Sequence, residues 1–436
     1  MKTHNAETFL RTVVMLAVAV SASSILAQAQ TLTTIHSFTG NHGDGQEPYP
    51  QHLAFDSAGA VYGTTVTNGS PYWGTVFQLV PPTKQGGAWN ENVLYDFQGW
   101  DPTGDGAQPQ QGMVFDPNGN LYGTTAFGGS ASACGGGCGV VFEVSPPAQQ
   151  GGAWKENVLY VFQGSYDGGG PGELVFGPNG SLFGTTRSGG SAGFFFSCLG
   201  NPNRNHLACG TVFELTPPAK AGGSWTKTIL HSFPTYAGDG RYPSTVLTFD
   251  AQGNLYGTAG EGGSMGYGMV FKLTPANGKN GWTETVIHDF AGASDGEYPG
   301  PGLVLGPNGV LYGTASNSGF YGTTGIVFQL TPPSGGSGEW TETVLASGPL
   351  PASTLAIDPS GSLYGTTVYG GSSNCGIVFK VAQSGGAWTE TDLHDWPCFS
   401  QAEAAESRVV YHNGLLYGTT DYLGSANLGQ VFTLVP

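Results

Sequence analysis

One five-residue motif recurs seven times along the chain, and that repetition constrains the fold more than any other feature. The pattern [VL]-[YF]-G-T-[TA] occupies residues 61–65, 121–125, 182–186, 255–259, 311–315, 363–367 and 416–420. A unit of this length cannot bury its apolar face alone, so the copies must stack against one another. Each copy reads as four short strands. In the second, Met113 to Asp116 meets a Pro-Asn-Gly turn, Leu121 to Thr125 returns, Val140 to Val144 follows, and Trp154 to Phe162 closes the unit. Four strands per unit describe a propeller blade. Composition agrees: glycine supplies 74 of 436 residues and Lys plus Arg only 13, which starves helices, while a 12% aromatic content provides core where disorder would otherwise be the reading.

The ends of the repeat array complement each other. The chain finishes on Gln430 to Val435, a third-strand pattern, while Thr31 to Phe38 (TLTTIHSF) matches the fourth-strand pattern of Thr283 to Phe290 (TETVIHDF). Residues 30–38 are therefore expected to pair with residues 429–435. The fold class that follows is all-β: a seven-bladed β-propeller of four-stranded blades, closed by the N-terminal strand pairing into the last blade. Closure leaves no terminal unit in need of a cap.

Lys2 and Arg11 give the N-terminus a basic opening, Val13 to Leu26 is mostly apolar, and Ala27-Gln28-Ala29 offers small residues at signal-peptidase spacing. Residues 1–29 read as a signal peptide and 30–436 as a single propeller domain. The apolar stretch falls short of the roughly 20 residues a spanning helix needs, so no membrane span is expected after leader removal. The expected location is secreted or periplasmic, with cell-surface association as the alternative. A formal charge of −17 argues against nucleic acid and anionic membranes as partners. Six cysteines in an exported chain are expected to pair, although spacing alone allows about 15 connectivities. Cys375 opens the third strand of blade 6 and Cys398 follows its fourth, so antiparallel strands bring them together. Cys134 with Cys138, and Cys198 with Cys209, are expected to staple their own loops.

The recurrent L-Y-G-T-T, the G-T-V-F-E-L-T-P-P of Gly210 to Pro218 and the G-G-x-W-T-E-T-V-L run together resemble the GloVer tandem-repeat family, found in exported bacterial choice-of-anchor proteins. The resemblance covers the whole chain after the leader and implies a propeller-like fold. It also implies surface anchoring, whereas this sequence reaches Pro436 inside the last blade and free secretion is expected. It brings no catalytic residues with it.

A residue that recurs in every blade is first explained by the blade. His36, His231, His288 and His394 share one fourth-strand position, where Tyr95 and Tyr160 stand in other blades, and separate blades keep them from meeting on one metal. Glu91, Glu156, Glu284, Glu342 and Glu390 repeat on outer strands and are expected to be solvated. Trp89, Trp154, Trp225, Trp282, Trp340 and Trp388 open fourth strands, where anchoring outweighs sugar stacking. D-G-x-x-P recurs at Asp44, Asp105, Asp167, Asp239 and Asp295, expected to ring the channel mouth. Calcium takes about six to eight oxygens and neighbouring sheets lie roughly 10 Å apart, so the motif reads as a turn. No metal and no cofactor is expected.

Departures from the repeat are the better guide to a site. From the Gly of Y-G-T to the Gly that opens the third strand is 11 or 12 residues in five blades, 16 in blade 2 and 26 in blade 3. The candidate ligand-binding residues are Arg187, Phe194, Phe195, Phe196, Arg204 and His206 around the longest loop, with the non-repeating Glu261 and Asp421. No H-E-x-x-H or phosphate loop occurs, and no catalytic residue is named. The expected function is a non-enzymatic binding or scaffold module, a monomer whose loop face meets an extracellular glycan or protein. The alternative is an extracellular carbohydrate-active enzyme, a glycoside hydrolase or lyase, with its site at the channel mouth.

Overall fold

The computed structural model describes residues 31–436 except 41–42, 49–51, 69–72, 85, 100–103, 130–133, 150, 191–207, 221, 235–237, 244–245, 277–280, 318–322, 337, 350, 352–353, 398–407 and 422. The expected leader falls outside these. Within them the chain forms seven four-stranded antiparallel blades set in a propeller ring, with no α-helix. Blade 1 is Ala54–Phe55, Val61–Thr65, Thr75–Val80 and Asn90–Asp96, from the channel outward. Blade 7 takes Val409–His412, Leu415–Thr420 and Gln430–Leu434 from the end of the chain and Leu32–Ser37 from its beginning. Leu32 pairs with Leu434, Thr34 with Phe432 and Ser37 with Gln430, the closure expected from the complementary ends.

The motif glycine has a packing reason. A Cβ on Gly63 would lie 2.5 Å from the Phe77 ring, and one on Gly257 2.5 Å from Phe271, so the third-strand phenylalanine occupies the space a side chain would need. The motif tyrosine carries two jobs. Tyr62 donates to Asp56 at 2.9 Å and Tyr256 to Asp250 at 2.9 Å, and those aspartates also accept the backbone N–H groups of their own turns. The Trp that opens the next blade's outer strand packs on the same ring: Trp154 sits 6.4 Å from Tyr62, Trp282 6.0 Å from Phe183 and Trp340 6.0 Å from Tyr256. The tryptophans therefore join blade to blade. Apolar clusters are likewise shared by neighbouring blades, as where Val76, Leu94 and Phe97 meet Met113, Leu121 and Phe142.

One irregularity recurs in every outer strand. Val76 faces Tyr95 but Phe77 faces Val93, so Leu94 is an extra residue, and the same register shift lies between Val270 and Phe271 and between Val378 and Phe379. A bulge reverses the alternation of side chains beyond it. Glu91 consequently shares a face with Leu79, toward blade 7, while Tyr95 shares one with Val76, toward blade 2.

Candidate functional site

Five of the seven seams between outer strands collect the residue after the bulge, the D-G-x-x-P aspartate that follows it, and a charged residue of the next blade, a glutamate in four of them. Between blades 7 and 1, His36 Nε2 lies 3.5 Å from Asp44 and 3.6 Å from Glu91. His231 lies 3.3 Å from Asp239 and 3.9 Å from Glu284 between blades 3 and 4, and His288 lies 3.5 Å from Asp295 and 3.9 Å from Glu342 between blades 4 and 5. Tyr95 donates to Asp105 at 2.7 Å, near Glu156. Tyr160 donates to Asp167 at 2.6 Å, and here Lys227 replaces the glutamate and reaches Asp167 at 2.9 Å.

These contacts correct two sequence expectations. The aspartates turn back onto the outer strand they follow instead of ringing the mouth: four accept a backbone N–H at that strand's end, Thr39 at Asp44, Gln98 at Asp105, Gln163 at Asp167 and Ala291 at Asp295, and Asp239 meets His231 of its strand. Glu91, Glu156, Glu284 and Glu342 are not solvated, because the bulged strand aims them into the seam, whereas Glu390 is exposed as expected. Loss of water pushes Glu91 and Glu284 up to about 7, against the pull of His36 and His231. Burial, reinforced by the aspartate beside each, raises Glu156 and Glu342 to about 8.

The face that carries the D-G-x-x-P loops also carries the starts of the inner strands and the turns between second and third strands. Over blades 3 to 5 it gathers residues the repeat does not explain. Arg241 pairs with Glu261 at 3.8 Å, and both act on Tyr242 together with Arg187. Burial and then Glu261 raise the Tyr242 hydroxyl above its usual range. Tyr242 and Tyr298 hold left-handed backbone, φ 55° and 48°, just before a proline. The Tyr242 N–H bonds Cys209 of blade 3 and its carbonyl accepts Gly260 of blade 4, so the strained residue splices two blades, and it stays half-buried. Tyr267 and Tyr298 stand 6.4 Å apart. Among the described residues, the two most exposed large apolar side chains, Tyr166 at 66% and Met265 at 61%, lie on loops that lead into blade 3 and join the second and third strands of blade 4.

Seven equivalent positions just before the inner strands approach the channel: His52, Gly112, Glu173, Val246, Gly302, Thr354 and Arg408. Glu173, 4% exposed, accepts from Arg408 at 2.7 Å and meets His52 Nδ1 at 3.2 Å. Burial alone would raise its pKa, but the Arg408 charge and the His52 contact outweigh it and hold the carboxyl below the usual range. Both oxygens are occupied, so Glu173 is a fixed charge at the axis. His52 keeps 39% of its side chain exposed.

Of the residues singled out from sequence, the fold brings Arg187 and Glu261 together around Tyr242. Asp421, 9% exposed, lies on blade 7 across the ring from Arg187. Phe194, Phe195, Phe196, Arg204 and His206 lie outside the described residues. Cys134 and Cys138 form the expected disulfide. Cys209 and Cys375 are also disulfide-bonded, and their expected partners, Cys198 and Cys398, lie outside the described residues. The axial trio went unseen in sequence because its members stand 121 and 235 residues apart. The one available signal was how widely residue type varies at that repeat position.

A family model described as the Gloeobacter/Verrucomicrobia repeat matches residues 21–200 and 201–432. No curated protein matches the chain. Among solved structures, a 6-phosphogluconolactonase candidate from Bacteroides fragilis is 15% identical, with a TM-score of 0.49, covering 84% of this chain and 94% of its own. A candidate glucose dehydrogenase from Thermus thermophilus is 18% identical, with a TM-score of 0.41, covering 78% and 94%. Likenesses this distant carry no argument about activity.

Proposed function

Since the chain belongs to the Gloeobacter/Verrucomicrobia repeat family, and its copies close into a propeller, we propose that it is an exported binding module that holds a glycan on the loop face of blades 3 to 5. The observation that carries this reading is the gathering there of Arg187, Arg241, Glu261, Tyr242 and Tyr298, beside the exposed Tyr166 and Met265. Recurring aspartates, tryptophans and glycines are absorbed by blade-to-blade contacts. Aromatic rings flanked by a guanidinium and a carboxylate suit a sugar, whose C–H face packs on the ring while its hydroxyls bond the charged groups. Disulfide-bonded Cys134, Cys138, Cys209 and Cys375 support an oxidising compartment outside the cytoplasm.

A glycan array on the purified chain tests this. Arg187→Ala and Tyr242→Ala should each weaken binding by about tenfold or more, as central contacts of an interface do, while Lys155→Ala on the outer strand of blade 2 should leave it unchanged. Absence of any glycan ligand, or affinity indifferent to both substitutions, overturns the reading.

A second reading, an extracellular carbohydrate-active enzyme, draws on the exposed His52 whose Nδ1 is oriented by Glu173. Release of reducing ends from a bound glycan, abolished by His52→Ala with binding retained, would establish it.

A further inference from the structure

The histidine seams hold a donor set that the ligand face does not use. We propose that the seams between blades 7 and 1, 3 and 4, and 4 and 5 are three equivalent sites for a divalent transition-metal ion, with tetrahedral zinc the best match. The ligands are His36, Asp44 and Glu91 in the first, His231, Asp239 and Glu284 in the second, and His288, Asp295 and Glu342 in the third.

Distances carry the argument first. In each trio one ligand atom per residue lies within 4.8 Å of the other two, with the imidazole 3.3 to 3.5 Å from the aspartate and 3.6 to 3.9 Å from the glutamate. Tetrahedral zinc with ligands at about 2.0–2.2 Å sets those atoms roughly 3.3–3.6 Å apart. The atoms are therefore slightly too far apart for good hydrogen bonds and suitably placed around a common ion. Calcium, which takes about six to eight oxygens, fits a nitrogen-bearing trio poorly. The rings are also preorganised: His36, His231 and His288 pack edge-on against Phe38, Phe233 and Phe290 at 4.7, 4.6 and 4.6 Å.

Unmet bonding comes second. His36 Nε2, Asp44 Oδ1, Glu91 Oε1, Glu284 Oε1, His288 Nε2 and Glu342 Oε1 are all out of water, with no well-formed hydrogen bond among the described residues. Buried polar atoms are seldom left this way, and here the glutamate Oε1 is left so in all three seams and the histidine Nε2 in two, as Glu156 Oε1 is beside Asp105. With both carboxylates ionised, a trio with a neutral imidazole carries a charge of about −2, which a divalent ion cancels.

The repeats supply their own control. Between blades 2 and 3 the histidine is Tyr160 and the glutamate is Lys227, whose ammonium sits against Asp167 and over the Phe162 ring at 5.1 Å. That seam carries its cation covalently. His394, by contrast, faces a blade whose outer strand has Leu32 where five others have glutamate and one has lysine, and it joins no such trio among the described residues. No linear spacing links these histidines to the glutamates, which the next blade contributes.

Metal counting by plasma mass spectrometry decides the matter on untagged protein that has been stripped with a chelator and dialysed against zinc. Three zinc ions per chain are expected. His36→Gln, His231→Gln and His288→Gln should each remove one, His394→Gln none, and cobalt loaded in place of zinc should show the intense visible bands of a tetrahedral site. Zinc should raise the melting temperature of the parent protein by several degrees and leave that of the triple variant unmoved. A count other than three in the parent protein, or three ions retained by the triple variant, overturns the proposal. The parent count stands even if a variant misfolds.

Discussion

The glycine of L-Y-G-T is the residue on which each blade turns, because its missing side chain is the room the third-strand phenylalanine fills. Phe77, Phe271 and Phe328 are fully buried, and a methyl on Gly257 would meet Phe271 at 2.5 Å in a wall that has nowhere to retreat. Overpacking of this kind costs typically about 1–3 kcal/mol. Gly257→Ala should therefore lower the free energy of unfolding by about 2–3 kcal/mol in denaturant titrations. Gly281→Ala, with nothing within 4 Å of its new Cβ, should change it by less than about 0.5 kcal/mol. Equal losses at the two positions would show that propensity, not the phenylalanine, fixes the motif. The Cys134–Cys138 staple is a second residue-scale case. It closes so short a loop that Cys134→Ser with Cys138→Ser should cost no more than about 2 kcal/mol on the chain-entropy model, with the ring still folded by circular dichroism.

At the scale of the element, the bulged outer strand decides which groups meet. In a regular strand, residues four apart such as Glu91 and Tyr95 would point the same way; across the bulge at Leu94, one faces each neighbouring blade. Glu156 shows the electrostatic consequence apart from any histidine. Loss of water, then the Asp105 charge, raises its pKa to about 8, above the 4.5 of a free glutamate, so folding favours its protonated form. Its contribution is present in full below pH 4.5 and is lost as pH rises through about 8. Between pH 5 and 9 the parent protein should lose on the order of 1–2 kcal/mol relative to Glu156→Gln, a figure discounted for the partial exposure of the site. A parent curve parallel to that of the variant would refute this. The seam also marks where sequence reading stopped. Gly, Pro and Asn punctuation and the repeated L-Y-G-T made the strands, blades and closure legible, because those signals are local. The seam partners were not legible, since a period of two cannot announce a bulge and no linear spacing links His36 to Glu91. Arg187 and Glu261 were visible as departures from the repeat, whereas Glu173 and Arg408 meet only through the ring.

The whole molecule is held by its circular closure, and that makes the position of the chain ends incidental to the fold. In blades 1 to 6 the third and outer strands are joined by a short turn, as Val80 and Asn90 are in blade 1; in blade 7 the same antiparallel pair, Leu434 with Leu32, belongs to opposite ends of the chain. Phe38 is fully buried between Phe77 and its neighbours, so the closing strand contributes core as well as hydrogen bonds. Phe38→Ala should accordingly cost about 3–5 kcal/mol. The stronger test moves the ends without removing any contact. A circular permutant that joins Pro436 to Thr31 through a Gly-rich turn copied from the Pro81 to Ala88 sequence, and that opens the chain instead at the equivalent turn of blade 1, keeps every strand pair and only exchanges which hairpin is covalent. Loop closure changes little when one short turn is traded for another, and exposed turns tolerate new termini. The permutant should unfold in one transition, with a midpoint within a few degrees of the uncut order. Two transitions, or a blade that detaches at the new opening, would mean that the covalent order stabilises the ring and the complementary ends do not.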